Sequence, residues 1–185
     1  WFVVGLPVFL YDRLGWGFAQ VGGFLALWVI GYGAVQAAAP AMLRAAGISS
    51  RALATQLCTA VLAAVPAGIA LALGAGWNPA AVLVGGLALF AWVFALDSSL
   101  HSYLILAFTE RDEVSLNVGF YYMANAAGRL AGTVLSGWLY GVGGLAGCLW
   151  AAVAFVLAAA ALSLLLPPEP SRTGQPTGVA PAGES

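Results

Sequence analysis

From Trp1 to Leu166 the chain alternates long apolar runs with polar breaks only a few residues wide. Crossing the hydrocarbon core takes about 20 apolar residues in a helix, so these runs predict membrane-spanning helices. The first run, Trp1 to Tyr11, is only about half that length. No basic segment precedes it and no small-residue cleavage site follows, so it does not read as a signal peptide. It reads as a truncated span with upstream protein missing. After the turn at Asp12-Arg13, a second span is expected from Phe18 to Ala39, followed by a loop with Pro40, Arg44 and Arg51. The third is expected over Leu53–Ala75, ended by Gly76-Trp77-Asn78-Pro79.

A fourth span begins at Ala80. Asp97-Ser98-Ser99 offers one place to end it, but that would leave Leu100–Phe108 as an orphan apolar segment. One long helix to Phe108, closed by Glu110-Arg111-Asp112-Glu113, keeps the alternation of sides and is the expectation. The fifth span is predicted over Val114–Gly141 and the sixth over Gly144–Leu166. The fold class is therefore an all-α membrane protein, a six-transmembrane-helix bundle over residues 1–166. Five of the nine prolines fall within residues 167–185, among Gly, Ser, Thr and Glu. That tail buries too little apolar surface to order itself and is expected to be disordered.

Composition sharpens this picture. The 185 residues are 62% hydrophobic and 7% charged, with a mean hydropathy of +0.96. Six Arg, no Lys and seven acids give a net charge of −1, too little basic charge for nucleic acid. Counting breaks alternately puts Arg44, Arg51, Arg111 and Arg172 on one side and only Arg13 on the other. The arginine-rich side is then cytoplasmic, and the tail with it. Trp16, Trp77 and Trp138 fall at the three turns of the opposite face, where interfacial aromatics belong.

Catalytic chemistry finds little support. One His excludes HExxH and other multi-His metal sites from this chain. The chain has no GxSxG elbow, no P-loop and no CxxC. Cys58 and Cys148 lie in apolar runs and read as buried thiols. No enzyme activity, cofactor or metal is expected.

The polar residues inside the spans carry the remaining information. In the fifth span Ala124, Gly128, Gly132 and Ser136 repeat every fourth residue, the small-residue spacing that lets helices approach closely in lipid. Beside this ridge runs a polar one: Tyr121, Asn125, Arg129 and Thr133. Arg129 falls near the middle of the bilayer, where an Arg costs about 2.5–3.5 kcal/mol on insertion scales. It needs an acid, a wet cavity or an anionic ligand. One reading is an anion clamp completed by Asn125 and Tyr121; the other is a structural pair with an acid on another helix.

In the fourth span Asp97 and His101 share a face, with Ser98 and Ser102 on the adjacent one. The pair suits a coupling proton, or else helix stabilisation and charge balance for Arg129. The second span has a looser stripe, Gln20, Phe24, Trp28, Tyr32 and Gln36, which is packing or a cavity wall. Thr55, Gln56 and Thr59 open the third span as interfacial or interhelical hydrogen bonders. The sixth span carries almost no polar group beyond Ser163.

Six spans, a cytoplasmic tail and a Gly-rich bundle resemble the C-terminal half of a major facilitator superfamily transporter. The resemblance implies a twelve-helix fold of which these are helices 7 to 12, with 7, 8, 10 and 11 around the cavity. The polar stripes would then lie on helices 8, 10 and 11. The loop with Arg44 and Arg51 departs from the superfamily's GxxxD-type motif by lacking its acid. More narrowly, WFVVGLPVFLY, GGFLALWVIGYGAVQAAAP, SSLHSYLILAFTERDEVSLNVGFYYMANAAGRLAGTVLSGWLY and GLAGCLW resemble the ArsJ organoarsenical exporters of bacterial arsenic-resistance operons. That likeness implies efflux of 1-arseno-3-phosphoglycerate; the expected mechanism is proton-coupled alternating access in the bacterial inner membrane, rocking against a missing N-terminal six-helix half. The expected substrate contacts are Arg129, Asn125, Tyr121 and His101, with Asp97 or His101 carrying the proton. The alternatives are export of another organic anion or a drug, or a membrane scaffold that transports nothing.

Overall fold

The computed structural model describes residues 3–47, 51–107 and 114–164, with the backbone alone for 51–53, 103–107 and 114–115. The acidic cluster 110–113, Arg111, Arg172 and the tail 167–185 lie outside the described residues. The elements are all helical: α1 (Gly5–Leu14), α2 (Phe18–Ala45), α3 (Arg51–Gly74), α4 (Pro79–Ala107) and α5 (Val114–Ser163). Four of them, α2 to α5, are long and apolar enough to cross a membrane, as in a multi-pass membrane protein. At 10 residues, α1 rises about 15 Å, too short to cross.

Five helices stand where six spans were expected, because the fifth and sixth spans form one element, α5, of 50 residues. A straight helix of that length would extend about 75 Å. It does not stay straight. Gly144 leaves the helical region at φ 60° and ψ −157°, a conformation that only glycine adopts readily. Gly128 and Val156 consequently line the same cavity, although 28 residues of straight helix would hold them about 42 Å apart. The Cys148 thiol also reaches the Ser136 carbonyl oxygen at 3.4 Å. α5 is thus bent back into a first arm before Gly144 and a second arm after it.

α4 is one unbroken helix through Asp97-Ser98-Ser99, as the long-helix reading requires. α2 runs past the expected end at Ala39, through Pro40, to Ala45. A proline removes one N–H, and helices of this kind tolerate it where the freed group finds another partner. α4 begins with a cap: the Asn78 Oδ1 accepts the Ala81 N–H at 3.0 Å, and Pro79 occupies the first turn, where its missing N–H costs nothing. Just upstream, Gly76 at φ +78° lets the chain leave α3, with the Trp77 N–H bonded to the Ala72 carbonyl at 3.1 Å.

α4 packs between α2 and α3, and α3 in turn packs on α5. Pairings along the helices give their directions. Trp28 and Gln36 of α2 meet Leu87 and Ser98 of α4, so those two run parallel. Thr59 meets Asp97, and Ile69 lies against Gly86, so α3 runs antiparallel to α4. The apolar core gathers at the end of the bundle nearest Gly144, from Leu6, Leu10, Ile69, Leu83, Leu87 and Leu149. Helices in lipid gain little from leaving it, so they hold together by contact and hydrogen bonds. The closest contact is at Gly86, where a Cβ would sit 2.5 Å from Ile69 Cγ1. Gly5 is similarly pressed, with Cys148 Sγ 3.1 Å from where its Cβ would be.

Candidate functional site

The polar side chains of α2, α3 and α4 meet at one level of the bundle. Asp97 lies 18 residues into α4, about 27 Å, and roughly 15 Å from the Ala107 end. Thr59 lies about 12 Å into α3, counted from Arg51, and Gln36 about 13 Å from the Ala45 end of α2. All three therefore sit at about the same distance from that end of the bundle. An ionisable group within a membrane-spanning helix is costly unless it is paired or hydrogen-bonded.

Asp97 is buried, and it faces α3. The hydroxyl of Thr59, also buried, donates to Asp97 Oδ1 at 2.8 Å. The same oxygen, Thr59 Oγ1, lies 2.9 Å from the Thr55 carbonyl one turn earlier. On the other side His101 Nδ1 stands 3.4 Å from Asp97 Oδ2 and 3.0 Å from the Asp97 carbonyl oxygen. A carbonyl only accepts, so this contact requires the hydrogen on Nδ1. The His101 side chain is 39% exposed against 8% for Asp97, so His101 is the accessible member of the pair.

Ser98, the next residue on α4, faces α2. The Gln36 side-chain amide donates to its hydroxyl at 3.2 Å, and Ser102 donates back to the Ser98 carbonyl at 2.9 Å. Adjacent residues of α4 therefore tie it to both neighbours at a single level. Among the described residues no buried side-chain nitrogen or oxygen lacks a partner.

The rest of the α2 stripe is a packing face. Trp28 and Tyr32 stack at 5.7 Å, and Tyr32 stacks on Phe94 at 5.3 Å. The Trp28 indole N–H donates to the Leu87 carbonyl at 2.7 Å. Phe24 packs edge-on against Trp16 at 5.6 Å, and Gln20 accepts the Gly17 N–H at 2.8 Å at the helix start. Gln56 likewise makes an interhelical bond, to the Ser163 carbonyl at 3.3 Å.

The stripe on α5 behaves differently. Tyr121 is half-buried, and Asn125, Arg129 and Thr133 are exposed along the first arm. Thr133 donates to the Arg129 carbonyl at 2.8 Å, so its hydroxyl is spent within the helix. Among the described residues Arg129 has no ion pair, and the basic side chain beside Asp97 is His101. The structure thus brings Asp97 and His101 together but not with Arg129, Asn125 and Tyr121.

Of the packing residues named on this arm, Ser136 is buried and accepts the Gly5 N–H at 3.2 Å. Gly128 and Gly132 instead line an open apolar cavity of about 440 Å³ between the two arms, where an added Cβ would touch nothing. The close approaches occur at Gly5 and Gly86, which the small-residue spacing did not single out.

Sequence reasoning identified Thr59 and Gln36 as polar but not their partners. The available signal was their position, a similar distance from helix ends on the same side. Among the described residues no group of three His, Cys, Asp or Glu side chains is placed to hold a metal ion. Comparison with protein-family models, curated proteins and solved structures finds no match to this chain.

Proposed function

We propose that the chain belongs to a secondary active exporter that moves an organic anion by alternating access. The observation that carries this reading is the Asp97–His101 pair on α4, with Asp97 buried and bonded to Thr59 of α3, inside a helix long and apolar enough to cross a membrane. Such groups inside a membrane mark ion or substrate paths. Inward proton flow through Asp97 or His101 would drive export. Arg129, with Asn125 and Tyr121 on the open first arm of α5, would hold the anion. A guanidinium without an acidic partner among the described residues suits a phosphate- or arsenate-bearing cargo.

The preferred cargo, 1-arseno-3-phosphoglycerate, rests on the sequence resemblance to organoarsenical exporters alone. The reading puts the protein in the bacterial inner membrane, as the organoarsenical-exporter resemblance implies, and puts its C-terminus on the cytoplasmic side, on the strength of the arginine distribution. It also needs a facing six-helix half to close the cavity. Everted membrane vesicles carrying the full-length protein test it. They should accumulate 1-arseno-3-phosphoglycerate under a proton gradient and leave free arsenate outside. Equal uptake of both would overturn the cargo, and no movement of any organic anion would overturn transport altogether.

A further inference from the structure

Asp97 has two side-chain partners of different character among the described residues. His101 Nδ1 carries a hydrogen, because it contacts the Asp97 carbonyl oxygen at 3.0 Å. It therefore faces Oδ2 as a donor. Thr59 faces Oδ1 with a hydroxyl, the one group there that both donates and accepts. Its single hydrogen has two acceptors at nearly equal distance, Asp97 Oδ1 at 2.8 Å and the Thr55 carbonyl at 2.9 Å.

From this geometry we infer that Thr59 is a positioning residue for Asp97, a hydroxyl that reverses direction as the carboxyl gains or loses its proton. With Asp97 charged, Thr59 donates to Oδ1. With Asp97 neutral, the carboxyl carries its proton on Oδ1 and donates to Thr59 Oγ1, while the Thr59 hydrogen turns to the Thr55 carbonyl. The proton comes from a hydronium ion, whose O–H bond breaks as it leaves as water. It arrives from the more exposed His101 side, and a turn of the carboxyl about its Cβ–Cγ bond brings the protonated oxygen to Thr59. Both states keep a hydrogen bond between α3 and α4, so neither leaves a buried polar group unpaired.

The surroundings leave this role to Thr59. On α4 the titratable neighbour is His101. On α3 it is Cys58, half-buried beside Thr59. From α2 the group at this level is the uncharged Gln36, engaged by Ser98. From α5, Arg129 is not paired with Asp97. A valine at position 59 would fill the same space with no hydroxyl, whereas a serine would keep it.

The inference rests on the transport reading for its purpose, but its test does not depend on transport. The full-length protein is reconstituted in lipid, and infrared difference spectra are taken between acid and alkaline pH. The carboxyl C=O band lost in Asp97→Asn belongs to Asp97. In Thr59→Val that band should move to higher frequency, because the acid has lost its acceptor. Thr59→Ser should keep the wild-type frequency. Thr59→Ala serves as a second variant without the hydroxyl if the valine protein does not fold. An unmoved band in the variants without the hydroxyl would overturn the inference, as would the lack of any band that Asp97→Asn removes. Vesicles that fail to export while the band still shifts would sink the transport reading and leave Thr59 in its role.

Discussion

The stripes on α2 and on the first arm of α5 have the same period, one residue in four, and opposite fates. On α2 the members from Phe24 to Gln36 are half-buried, and Trp28, Tyr32 and Gln36 engage α4 through ring stacking and hydrogen bonds. On α5 the members from Asn125 to Thr133 are exposed, and Arg129 has no ion pair among the described residues. Periodicity says which residues share a helix face. It does not say whether another helix covers that face. The covered stripe holds the bundle together; the open one has no helix over it among the described residues.

The largest effect is expected on α4, whose Asp97 site adjoins the covered stripe of α2 through Ser98. Asp97→Asn should abolish transport driven by a pH gradient, since the variant holds no exchangeable carboxyl proton. Full gradient-driven uptake by that variant would remove the proton role. Next in size is Trp28→Ala, which deletes a stacked ring and an interhelical hydrogen bond. It should lower the unfolding free energy by about 3 kcal/mol, measured by denaturant titration in mixed micelles. A loss below about 0.5 kcal/mol, the scale of an ordinary surface change, would show that the α2 stripe is not a packing face.

Arg129→Gln should weaken transport of a polyanion by roughly ten- to a hundredfold, the worth of a charge-assisted hydrogen bond. Its unfolding free energy should stay within about 0.5 kcal/mol of the parent protein. A drug carrier would tolerate the change, and large destabilisation would mean that Arg129 is a structural ion-pair partner after all.

The smallest test compares glycines. Gly86→Ala should cost about 1–3 kcal/mol, because the new methyl group displaces the buried Ile69. Gly132→Ala should change stability by less than about 0.5 kcal/mol, since the cavity between the arms has room. Equal costs at the two positions would mean that the arms of α5 close on each other in the membrane.

Much of this was legible in the residues. The long fourth helix followed from refusing to strand Leu100–Phe108, and α4 runs unbroken to Ala107. The break expected between Gly141 and Gly144 coincides with the bend of α5, although the helix count differs because the two arms form one element. Thr59 and Gln56 were expected to be interfacial or interhelical hydrogen bonders, and both bond between helices. What could not be read was which helix each would meet. Asp97 and Arg129 are opposite charges within spans, and their pairing was a natural guess. The structure pairs Asp97 within its own helix instead, because α4 turns Asp97 toward α3, while Asn125, Arg129 and Thr133 on the first arm of α5 stay exposed.

Hydropathy and helical periodicity are local properties, carried by runs of about 20 residues and by positions four apart. They were enough to establish that the chain is helical and multi-pass, where the helices break, and which polar residues lie in line. The close contacts at Gly5 and Gly86, the burial of one stripe and the exposure of another depend on which helices become neighbours. In lipid every candidate surface is nearly as apolar as the solvent, so burial offers little to choose between them. Specific contact makes the choice: a ring that stacks, a glycine that admits Ile69, and a threonine hydroxyl in reach of Asp97.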